Sequence, residues 1–476
     1  MIHLSVILIY LFILIGIGFY KSSKVKTQSD FAVAGRSLTP WVLVGTMLAT
    51  WMGTGSILGN AGKTYDTGMA ALILPIGSIL GIILLTQIAG KVRSFEKYTV
   101  PEILGERFGP GARLLSVVAL VIAYMVIVSY QYNAGGAVLH TVLTNDAGVS
   151  LISVKTGTII AAVFIIAYTM LAGLVSVAYT DVANGLIILL SFIIAIPILM
   201  AEAGGFSGMA ESFASMGKDS HMNFWGVYSI MDIINFCLPP FLLIMGDANM
   251  YQRFFASKSA EGAKFATKVL IGAVAAAELM IIFSAWVASS MIPDAEVGKY
   301  VLIYASHKFL PTFLGAIMMT TIVGIIISTA DSFLLVPATT LMRDVYLNYI
   351  NPNADEKKIV LLSRLLVLAL GIVAYIVSLG FAKSAGFFER ALYAYTIYGA
   401  AITPTLVAAL FWRGATKAGA VASIITGTVT TLLWKEAAFI KNIIPVNIYN
   451  NMDEVLPAIT LSIVSLVLVS LATKKD

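Results

Sequence analysis

The sequence predicts an all-α integral membrane protein of about thirteen transmembrane helices. Three observations support this fold class: a low charge content, recurrent long apolar runs and a one-sided distribution of basic residues. Charged residues make up 12% of the 476 positions and hydrophobic residues 59%, whereas a soluble domain carries about 25% charged residues. The main solvent is therefore a bilayer, and the net charge of +5 does not indicate nucleic acid binding.

Apolar runs that are long enough to cross a bilayer recur along the whole chain. A spanning helix needs about 20 mainly apolar residues, and no polar stretch is long enough for an additional domain. We therefore predict a single transmembrane domain over residues 1–476. The expected spans are 3–20, 40–66, 68–90, 112–139, 153–173, 177–202, 226–246, 266–291, 312–341, 359–380, 386–412, 418–436 and 455–472.

The basic residues provide a test of this assignment. If successive loops alternate sides, one set of loops receives 21 of the 30 lysines and arginines. Because cytoplasmic loops carry an excess of basic residues, this set should be cytoplasmic. The N-terminus should then lie outside the cell membrane and the C-terminus inside. The set comprises 21–39, 91–113, 246–268, 342–364, 413–417 and the C-terminus.

Two spans contain residues that interrupt helices. Segment 49–62 of the second span has four glycines, and each glycine weakens a helix by about 1 kcal/mol. The seventh span contains Pro239 and Pro240, which remove backbone donors and clash with the preceding turn. Paired interrupted helices in two halves of a chain indicate a transporter site, because unwound backbone at membrane depth must line a cavity or site. The alternative is that Gly and Pro are simply frequent in membrane helices.

Five segments resemble, in this order, motifs of the sodium:solute symporter family, whose members carry proline, pantothenate, sialic acid, sugars, choline and urea. The resemblance covers nearly the whole chain. The segments are GRSLTPW (35–41), AGLVSVAYTDVANG (172–185), MYQRFFASKS (250–259), ISTADSFLL (327–335) and WRGATKAGAVASIITG (412–427).

The resemblance implies a leucine-transporter-type fold with a five-plus-five inverted repeat core. It further implies transport by alternating access, and we expect the protein to act as a monomer in the lipid bilayer. The implied parts are an extra N-terminal helix 3–20, repeat one over about 40–203, repeat two over about 226–412, and C-terminal helices 418–436 and 455–472.

A sodium ion that leaves water needs several oxygen ligands, which hard cations prefer. The resemblance implies that the common sodium site of the family uses the backbone carbonyls of Ala49, Met52 and Ile325. The hydroxyls of Ser328 and Thr329 complete this set. The alternative is that both hydroxyls hydrogen-bond only to their own helix.

Aspartates within membrane spans predict a second cation site, because a buried charge costs about 2.5–3.5 kcal/mol on insertion scales and is expected to have a function. Some family members use the residues that match Asp181 and Ser332 for a second sodium, and Asp331 stands where others have Ser. Two neighbouring carboxylates would attract sodium more strongly, or one would hold a proton. Alternatively, Asp181 lies hydrated at the cytoplasmic membrane edge.

The two interrupted spans are expected to frame the solute. ATWMGTG, which contains Trp51, resembles a stretch of the high-affinity choline transporters, whose Trp contributes to an aromatic cage. Such rings attract ammonium groups by cation–π interaction. The other cage positions align with Ser78, Ile127 and Asp247, none of which is aromatic, so a complete choline cage is not expected.

The remaining candidate residues are assigned by side-chain chemistry. Asp247 is expected to pair with an ammonium group, and Tyr130, Gln131 and Asn133 to donate or accept hydrogen bonds. Tyr395 and Tyr398 are expected to form an outer gate, although Trp and Tyr also occur in interfacial belts. The predicted substrate-binding set is Trp51, Gly53, Thr54, Ser78, Tyr130, Gln131, Asn133, Asp247, Tyr395 and Tyr398.

The predicted function is sodium-coupled import of a small polar organic solute, with an amino acid such as proline or an organic amine favoured. Sugars, sialic acid and carboxylates are alternative substrates. A proton-coupled carrier that uses Asp181 or Asp331, and a passive facilitator or channel of the same fold, are alternative mechanisms. We do not expect an enzyme or a membrane sensor, since the sequence has one cysteine and four scattered histidines, no nucleophile–base pair and no output domain.

Overall fold

The computed structural model describes residues 2–22, 25–144, 150–381, 386–437 and 439–474. Within these ranges the chain is helical almost throughout and forms no β-strand, so the predicted all-α class is confirmed. Shorter helices in the connections are Gln28–Val33, Ala89–Arg93, Val100–Phe108, Gly205–Ser215, Ala295–Gly298, Val301–Lys308, Ile440–Ile443 and Val446–Asn451. The main helices are α1 (Ile2–Ser22), α2 (Pro40–Trp51), α3 (Gly55–Ile73), α4 (Ile76–Leu85), α5 (Pro110–Val142), α6 (Val154–Leu171), α7 (Gly173–Glu202), α8 (Ile230–Gly246), α9 (Ala248–Ala256), α10 (Ala260–Ser289), α11 (Thr312–Thr340), α12 (Glu356–Phe381), α13 (Phe387–Phe411), α14 (Lys417–Glu436) and α15 (Val455–Thr473).

Ten helical segments in the described ranges are long and apolar enough to cross a membrane, and the bent pair α2–α3 would add an eleventh. The remaining predicted spans coincide with α4, which is apolar but only 10 residues long, and with α14, which has 20 residues. Every predicted span thus coincides with a helix or a bent pair of helices. The number thirteen itself stays a prediction.

The predicted interruption of the second span is confirmed. Helix α2 ends at Trp51, because Met52 leaves the helical conformation with φ −72° and ψ 97°. The chain bends by 52° before α3, whose first residues, Gly55–Asn60, are wound as a π-helix. The carbonyls at the end of α2 therefore lack the regular intrahelical donors.

The predicted interruption at Pro239 and Pro240 is wrong in its position. Helix α8 continues through both prolines to Gly246, and the break lies at Asp247, which has φ −59° and ψ 113°. Proline has a φ near −65°, which a helix tolerates, so the pair removes two amide donors without ending the helix. Asp247 then caps α9, since its Oδ1 accepts a hydrogen bond from the Asn249 amide at 3.1 Å.

The fifth and sixth predicted spans meet at a sharp bend. The helices α6 and α7 join at Gly173, which has φ 60° and ψ 171°. L side chains rarely adopt this conformation, which glycine tolerates. A Cβ atom there would also lie 3.2 Å from the Phe31 ring, so the predicted division near residue 173 is confirmed.

The loops with excess basic residues meet at one end of the helix bundle, which we call the basic end (loops 21–39, 91–113, 246–268, 342–364 and 413–417). Hydrogen bonds connect them across the bundle. The Gln28 amide donates to the Glu356 carboxylate at 2.8 Å. Three arginine side chains donate to backbone carbonyls of other loops: Arg36 to Phe255 at 3.1 Å, Arg93 to Ser257 at 2.6 Å and Arg107 to Arg413 at 2.9 Å. The alternation of loops assumed above is thus consistent with the fold.

Arg253 requires a correction to the distribution of basic residues. Its position in 246–268 predicts a loop residue of the basic set. In the structure, however, its side chain is completely buried in α9, with 0% exposure. Burial of an arginine among membrane helices requires charged and polar partners. Those partners are described below.

A large cavity opens at the opposite end of the bundle. It has a volume of about 890 Å³ and is lined by residues of α3, α5, α6, α12 and α13. Its wall carries both charge signs and includes Lys63, Asp66, Asn133, Lys155 and Glu389. We call it the open cavity, in contrast to the basic end, which the hydrogen bonds between loops close.

Candidate ion and solute sites

The interruption between α2 and α3 lies at the centre of the bundle. Helix α2 packs against α7, α10 and α11, and α11 in turn packs against α5 and α7. The polar groups at the interruption therefore face helices that carry hydroxyl and carboxylate side chains. This arrangement brings most of the predicted ion-binding residues together.

Two of the residues predicted for the first sodium site, Met52 and Thr329, are in direct contact. Thr329 Oγ1 donates a hydrogen bond to this carbonyl at 3.0 Å, and Ser328 precedes Thr329 on α11. All five predicted residues are buried, with exposures of 0–3%. The interruption thus presents a backbone oxygen directly to the hydroxyl-bearing turn of α11, and the two hydroxyls do not merely bond to their own helix.

Gly53 explains why the interruption approaches α11 so closely. A Cβ atom at this position would lie 2.9 Å from Thr329 Cγ2 and 3.2 Å from Gln131 Nε2. Only glycine permits this contact without displacement of a neighbour. The predicted glycine therefore sets the distance between the Met52 carbonyl and the Thr329 hydroxyl.

Arg253 joins the residues predicted for the second cation site. Its guanidinium lies 3.7 Å from Asp181 Oδ2. It also donates hydrogen bonds to Ser332 Oγ at 2.6 Å and to Thr50 Oγ1 at 2.8 Å. Helix α9 is thereby connected to α7, α11 and α2 through one side chain.

Both aspartates of this site are fully enclosed. Asp181 has 0% exposure and accepts hydrogen bonds from Thr46 at 2.6 Å and from Ser328 at 2.5 Å. Asp331 has 1% exposure, and its Oδ1 accepts a hydrogen bond from Ser332 at 3.5 Å. The side chain of Asp181 is therefore not exposed to solvent, contrary to the alternative of a hydrated aspartate. Ser328 links the two predicted sites, since it belongs to one and contacts a carboxylate of the other.

A small cavity, which we call the inner cavity, adjoins the interruption. Its volume is about 30 Å³, which is room for about two water molecules. The rings of Trp51 and Tyr395 stack in its wall with centroids 6.2 Å apart and an interplanar angle of 28°. Lining residues include Trp51, Ser56, Ser78, Pro240, Glu278 and Tyr395.

Three of the ten predicted substrate residues therefore line the inner cavity: Trp51, Ser78 and Tyr395. Tyr130 stands behind Tyr395, and their hydroxyls are hydrogen-bonded to each other. The hydroxyl of Ser78 donates to the Pro75 carbonyl of its own turn at 2.9 Å. Ser78 thus presents little free hydrogen-bonding capacity to the cavity.

The other predicted substrate residues lie elsewhere. Thr54 contacts Gln131 through its hydroxyl and donates its amide to Gln131 Oε1 at 3.3 Å, which ties the interruption to α5. Asn133 lines the open cavity and donates to the Ser378 carbonyl at 3.4 Å. Thr54 thus satisfies the side-chain oxygen of Gln131, while the buried Nε2 of Gln131 has no hydrogen-bond partner among the described residues.

Asp247 and Tyr398 lie around Tyr124 and are not among the lining residues of the inner cavity. The Tyr124 hydroxyl donates to Asp247 Oδ1 at 2.5 Å. The rings of Tyr124 and Tyr398 have centroids 5.5 Å apart. Asp247 therefore acts locally as a hydrogen-bonded helix cap at the second interruption.

Most residues that line the inner cavity were missed by sequence reasoning, and two of them bear directly on the site. Glu278 of α10 lines the inner cavity with 3% exposure. Phe388 lines both the inner and the open cavity and packs edge-on against Phe236 at 5.3 Å. The Phe388 ring thus separates the two cavities. The available signal for Glu278 was its position as a charged residue inside the predicted span 266–291.

Comparison with known proteins places the whole chain in one family. The model of the sodium:solute symporter family matches residues 31–427. The chain belongs to this family. The symporter is 24% identical to the osmoregulated proline transporter OpuE of Bacillus subtilis, over 98% of this chain and 94% of that protein. It is 26% identical to the high-affinity proline transporter PutP of the same organism, over 96% and 95% of the two chains.

A solved structure shares the fold of the symporter. It is a Na⁺-coupled sialic acid symporter in a substrate-bound outward-open state, with a TM-score of 0.80, 16% identity and coverage of 99% and 98% of the two chains. Membership of the family establishes a multi-pass membrane transporter, with sodium as the coupling ion and a solute as the cargo. The predictions of sodium-coupled solute symport and of a non-enzymatic protein are therefore confirmed.

Proposed function

We propose that the symporter imports a small amino acid or organic amine, of which proline is the favoured example, together with sodium and by alternating access. Relatives that align over nearly their whole length are named as proline transporters. The observation that carries the proposal is the adjacency of Trp51 and Met52. Trp51 lines the inner cavity, and the carbonyl of Met52, the next residue, accepts the hydrogen bond of the Thr329 hydroxyl.

This adjacency suggests how ion and solute binding are coupled. Sodium would be held by the carbonyls of Ala49, Met52 and Ile325 and by the hydroxyls of Ser328 and Thr329. Each hydroxyl would rotate its proton away and turn a lone pair to the ion. An ion at Met52 would fix the interruption and with it the position of Trp51, so that the cavity wall is ordered before the solute arrives.

We place a second cation at Asp181, Asp331 and Ser332. Two carboxylates and one guanidinium, that of Arg253, leave room for one further positive charge if both acids are ionised. Sodium and a proton are the two candidates for this charge. The reversal potential of the reconstituted symporter distinguishes the two ions. If the second cation is sodium, the reversal potential shifts with the sodium gradient alone. If it is a proton, the reversal potential also shifts with the pH gradient.

The remaining predicted substrate residues are given supporting roles. Thr54, Gln131 and Gly53 would hold the interruption against α5 and α11, and Tyr130 would orient Tyr395. Asn133 would contact solute on its way through the open cavity. Asp247 and Tyr398 would act at the second interruption, when the bundle rearranges.

The proposed topology places the basic end in the cytoplasm and the N-terminus outside the plasma membrane. The open cavity then faces outward. The interruptions at Met52 and Asp247 occupy equivalent positions in two halves, which supports repeats over about 40–203 and 226–412, flanked by helix 3–20 and by 418–436 and 455–472. We propose that a monomer in the lipid bilayer is sufficient for transport.

A ligand screen on the purified symporter tests this proposal. Unfolding temperature would be measured with amino acids, amines, sugars and carboxylates, each in sodium and in potassium, since a ligand that binds only the folded state stabilises it. An amino acid or amine should raise the unfolding temperature in sodium and not in potassium. Stabilisation by a sugar or a carboxylate only, or equal stabilisation in potassium, would contradict the proposal.

A further inference from the structure

Glu278 is a buried acid in the wall of the inner cavity. It lies in the middle of α10 with 3% exposure. Its Oε1 accepts a hydrogen bond from Ser56 Oγ at 2.6 Å, and its Oε2 accepts one from Asn60 Nδ2 at 3.0 Å. Both donors belong to the π-helical turn that opens α3. The carboxylate is thus held against the interruption by two neutral groups.

No positively charged side chain compensates Glu278 in the described part of the chain. The groups that act on its carboxylate are Ser56 and Asn60, and both are neutral. Asp181, by contrast, has a guanidinium at 3.7 Å. An unpaired charge buried among membrane helices is expensive. The ionised carboxylate would therefore need a positive charge that the described residues do not supply, and without one Glu278 would hold a proton.

The other walls of the inner cavity present surfaces that suit an ammonium group, for which its volume of about 30 Å³ has room. The stacked rings of Trp51 and Tyr395 present aromatic surface, which attracts cations. Leu74, Pro240 and Leu392 supply apolar surface on other sides. A sugar or a simple carboxylate would place hydroxyls or a second negative charge against Glu278.

We propose that the carboxylate of Glu278 binds the ammonium group of the solute and thereby selects amines and amino acids over sugars and simple carboxylates. This rests on the proposed function and names the group that recognises its substrate. The stacked pair Trp51–Tyr395 supports the same ammonium. Ser56 and Asn60 position the carboxylate without neutralising it.

Competition with proline analogues tests this assignment in proteoliposomes with sodium outside and potassium inside. Pyrrolidine keeps the ammonium of proline and lacks its carboxylate, whereas cyclopentanecarboxylate keeps the carboxylate and lacks the nitrogen. For the wild-type symporter, pyrrolidine should inhibit uptake of radiolabelled proline at least tenfold more strongly than cyclopentanecarboxylate. Equal inhibition by the two analogues would overturn the assignment, and this comparison needs no variant.

Substitution of Glu278 tests whether this side chain is the group that recognises the ammonium of the solute. Glu278→Gln keeps the shape, and the hydroxyl of Ser56 can accept from the new amide. It should raise the KM for proline at least tenfold and abolish the preference for pyrrolidine, while sodium alone still raises the unfolding temperature. Glu278→Asp keeps the charge and should retain the preference. Glu261→Gln, the same change at an exposed acid in the first turn of the same helix, should leave the KM within twofold of wild type.

The outcomes separate the two proposals. Sodium-driven proline uptake with an unchanged KM in Glu278→Gln would overturn the role of Glu278 and leave the proposed function intact. Wild-type protein that accumulates only sugars or carboxylates with sodium would overturn both.

Discussion

Asp181 and Glu278 are both buried carboxylates in membrane-spanning helices, but among the residues that the structure describes only Asp181 has a positively charged partner. Arg253 lies 3.7 Å from Asp181 and also donates to Ser332 and Thr50. Within the described ranges, the hydrogen bonds that Glu278 accepts come from Ser56 and Asn60. The two acids flank the same interrupted helix on different sides.

The difference shows that a buried acid alone does not define a function. Asp181 is paired with Arg253 of α9, so this site connects the helices, and we propose that it binds one more cation. The charge at Glu278 has no attached partner and adjoins a cavity, so its partner must enter from solution. The expected effects of substitution differ accordingly.

Removal of Arg253 should give the largest effect on stability. Arg253→Gln leaves Asp181 without its counter-charge, and breaking a buried ion pair in this way costs about 3–5 kcal/mol. The unfolding temperature of the detergent-solubilised protein should fall strongly. The double variant Arg253→Gln with Asp181→Asn should recover much of the loss, because one acid and one base are removed together and the site keeps its wild-type net charge.

Arg343→Gln provides the matched control for Arg253. Arg343 forms an ion pair with Glu102 at 3.5 Å, but its side chain is 34% exposed. Pairs of this kind contribute about 0–1 kcal/mol. If Arg253→Gln were no more destabilising than Arg343→Gln, the contrast between Asp181 and Glu278 would lose its physical basis.

Removal of both sodium-site hydroxyls should give the next largest effect. Ser328→Ala with Thr329→Ala removes two oxygen ligands and should weaken sodium binding about a hundredfold, or about 2.8 kcal/mol. The sodium concentration for half-maximal uptake measures this change. Thr320→Ala is the control on the same helix, since the Thr320 hydroxyl donates to the Ala316 carbonyl of its own turn at 2.8 Å. Unaltered sodium dependence in the double variant would exclude this site.

A methyl group at Gly53 should have an intermediate effect. In Gly53→Ala the new Cβ would lie 2.9 Å from Thr329, and overpacking of this kind costs about 1–3 kcal/mol. The interruption should move away from α11, so sodium affinity and unfolding temperature should both fall. Gly272→Ala, which meets nothing within 4 Å, should leave sodium affinity unchanged. Equal sodium affinities in the two variants would contradict the close approach.

The smallest change in stability is expected from substitution of His221, a buried titratable group that lies outside the membrane spans. Burial lowers the pKa of His221 below its usual value of 6.5, and its Nε2 lies 3.1 Å from the Tyr65 carbonyl. Below pH 6.5 the unfolded chain therefore binds a proton that the folded chain does not. Stability should fall as the pH drops from 7 to 5, and His221→Gln should reduce this slope. An identical slope in the variant would refute the linkage.

The helices and the first interruption could be predicted from the sequence, because both depend on local composition. Apolar runs fix where helices cross the bilayer, and the glycines of 49–62 mark an interruption whatever packs against it. The second interruption could not be placed in this way. The prolines at 239 and 240 give a strong local signal, but the break occurs at Asp247, where a side-chain cap on α9 and contacts with Tyr124 support it.

The charges of the sites were harder to predict than the helices, because burial depends on tertiary packing. Arg253 follows a predicted span and carries the same sign as its loop neighbours, so the distribution of basic residues assigned it to the surface. Glu278 carried a usable signal, since an ionisable residue inside a span indicates a function by default. Its pairing with Ser56 and Asn60 could not be inferred from the sequence, because these residues lie more than 200 positions away.

Solute accumulation in proteoliposomes tests sodium coupling most directly. Purified symporter would be reconstituted at equal pH on both sides, with sodium outside and potassium inside, and the internal concentration of radiolabelled proline followed over time. The account predicts accumulation above the external concentration, which collapses when sodium is equalised across the membrane. Uptake that stops at equal concentrations, or accumulation driven by a pH gradient without sodium, would contradict it.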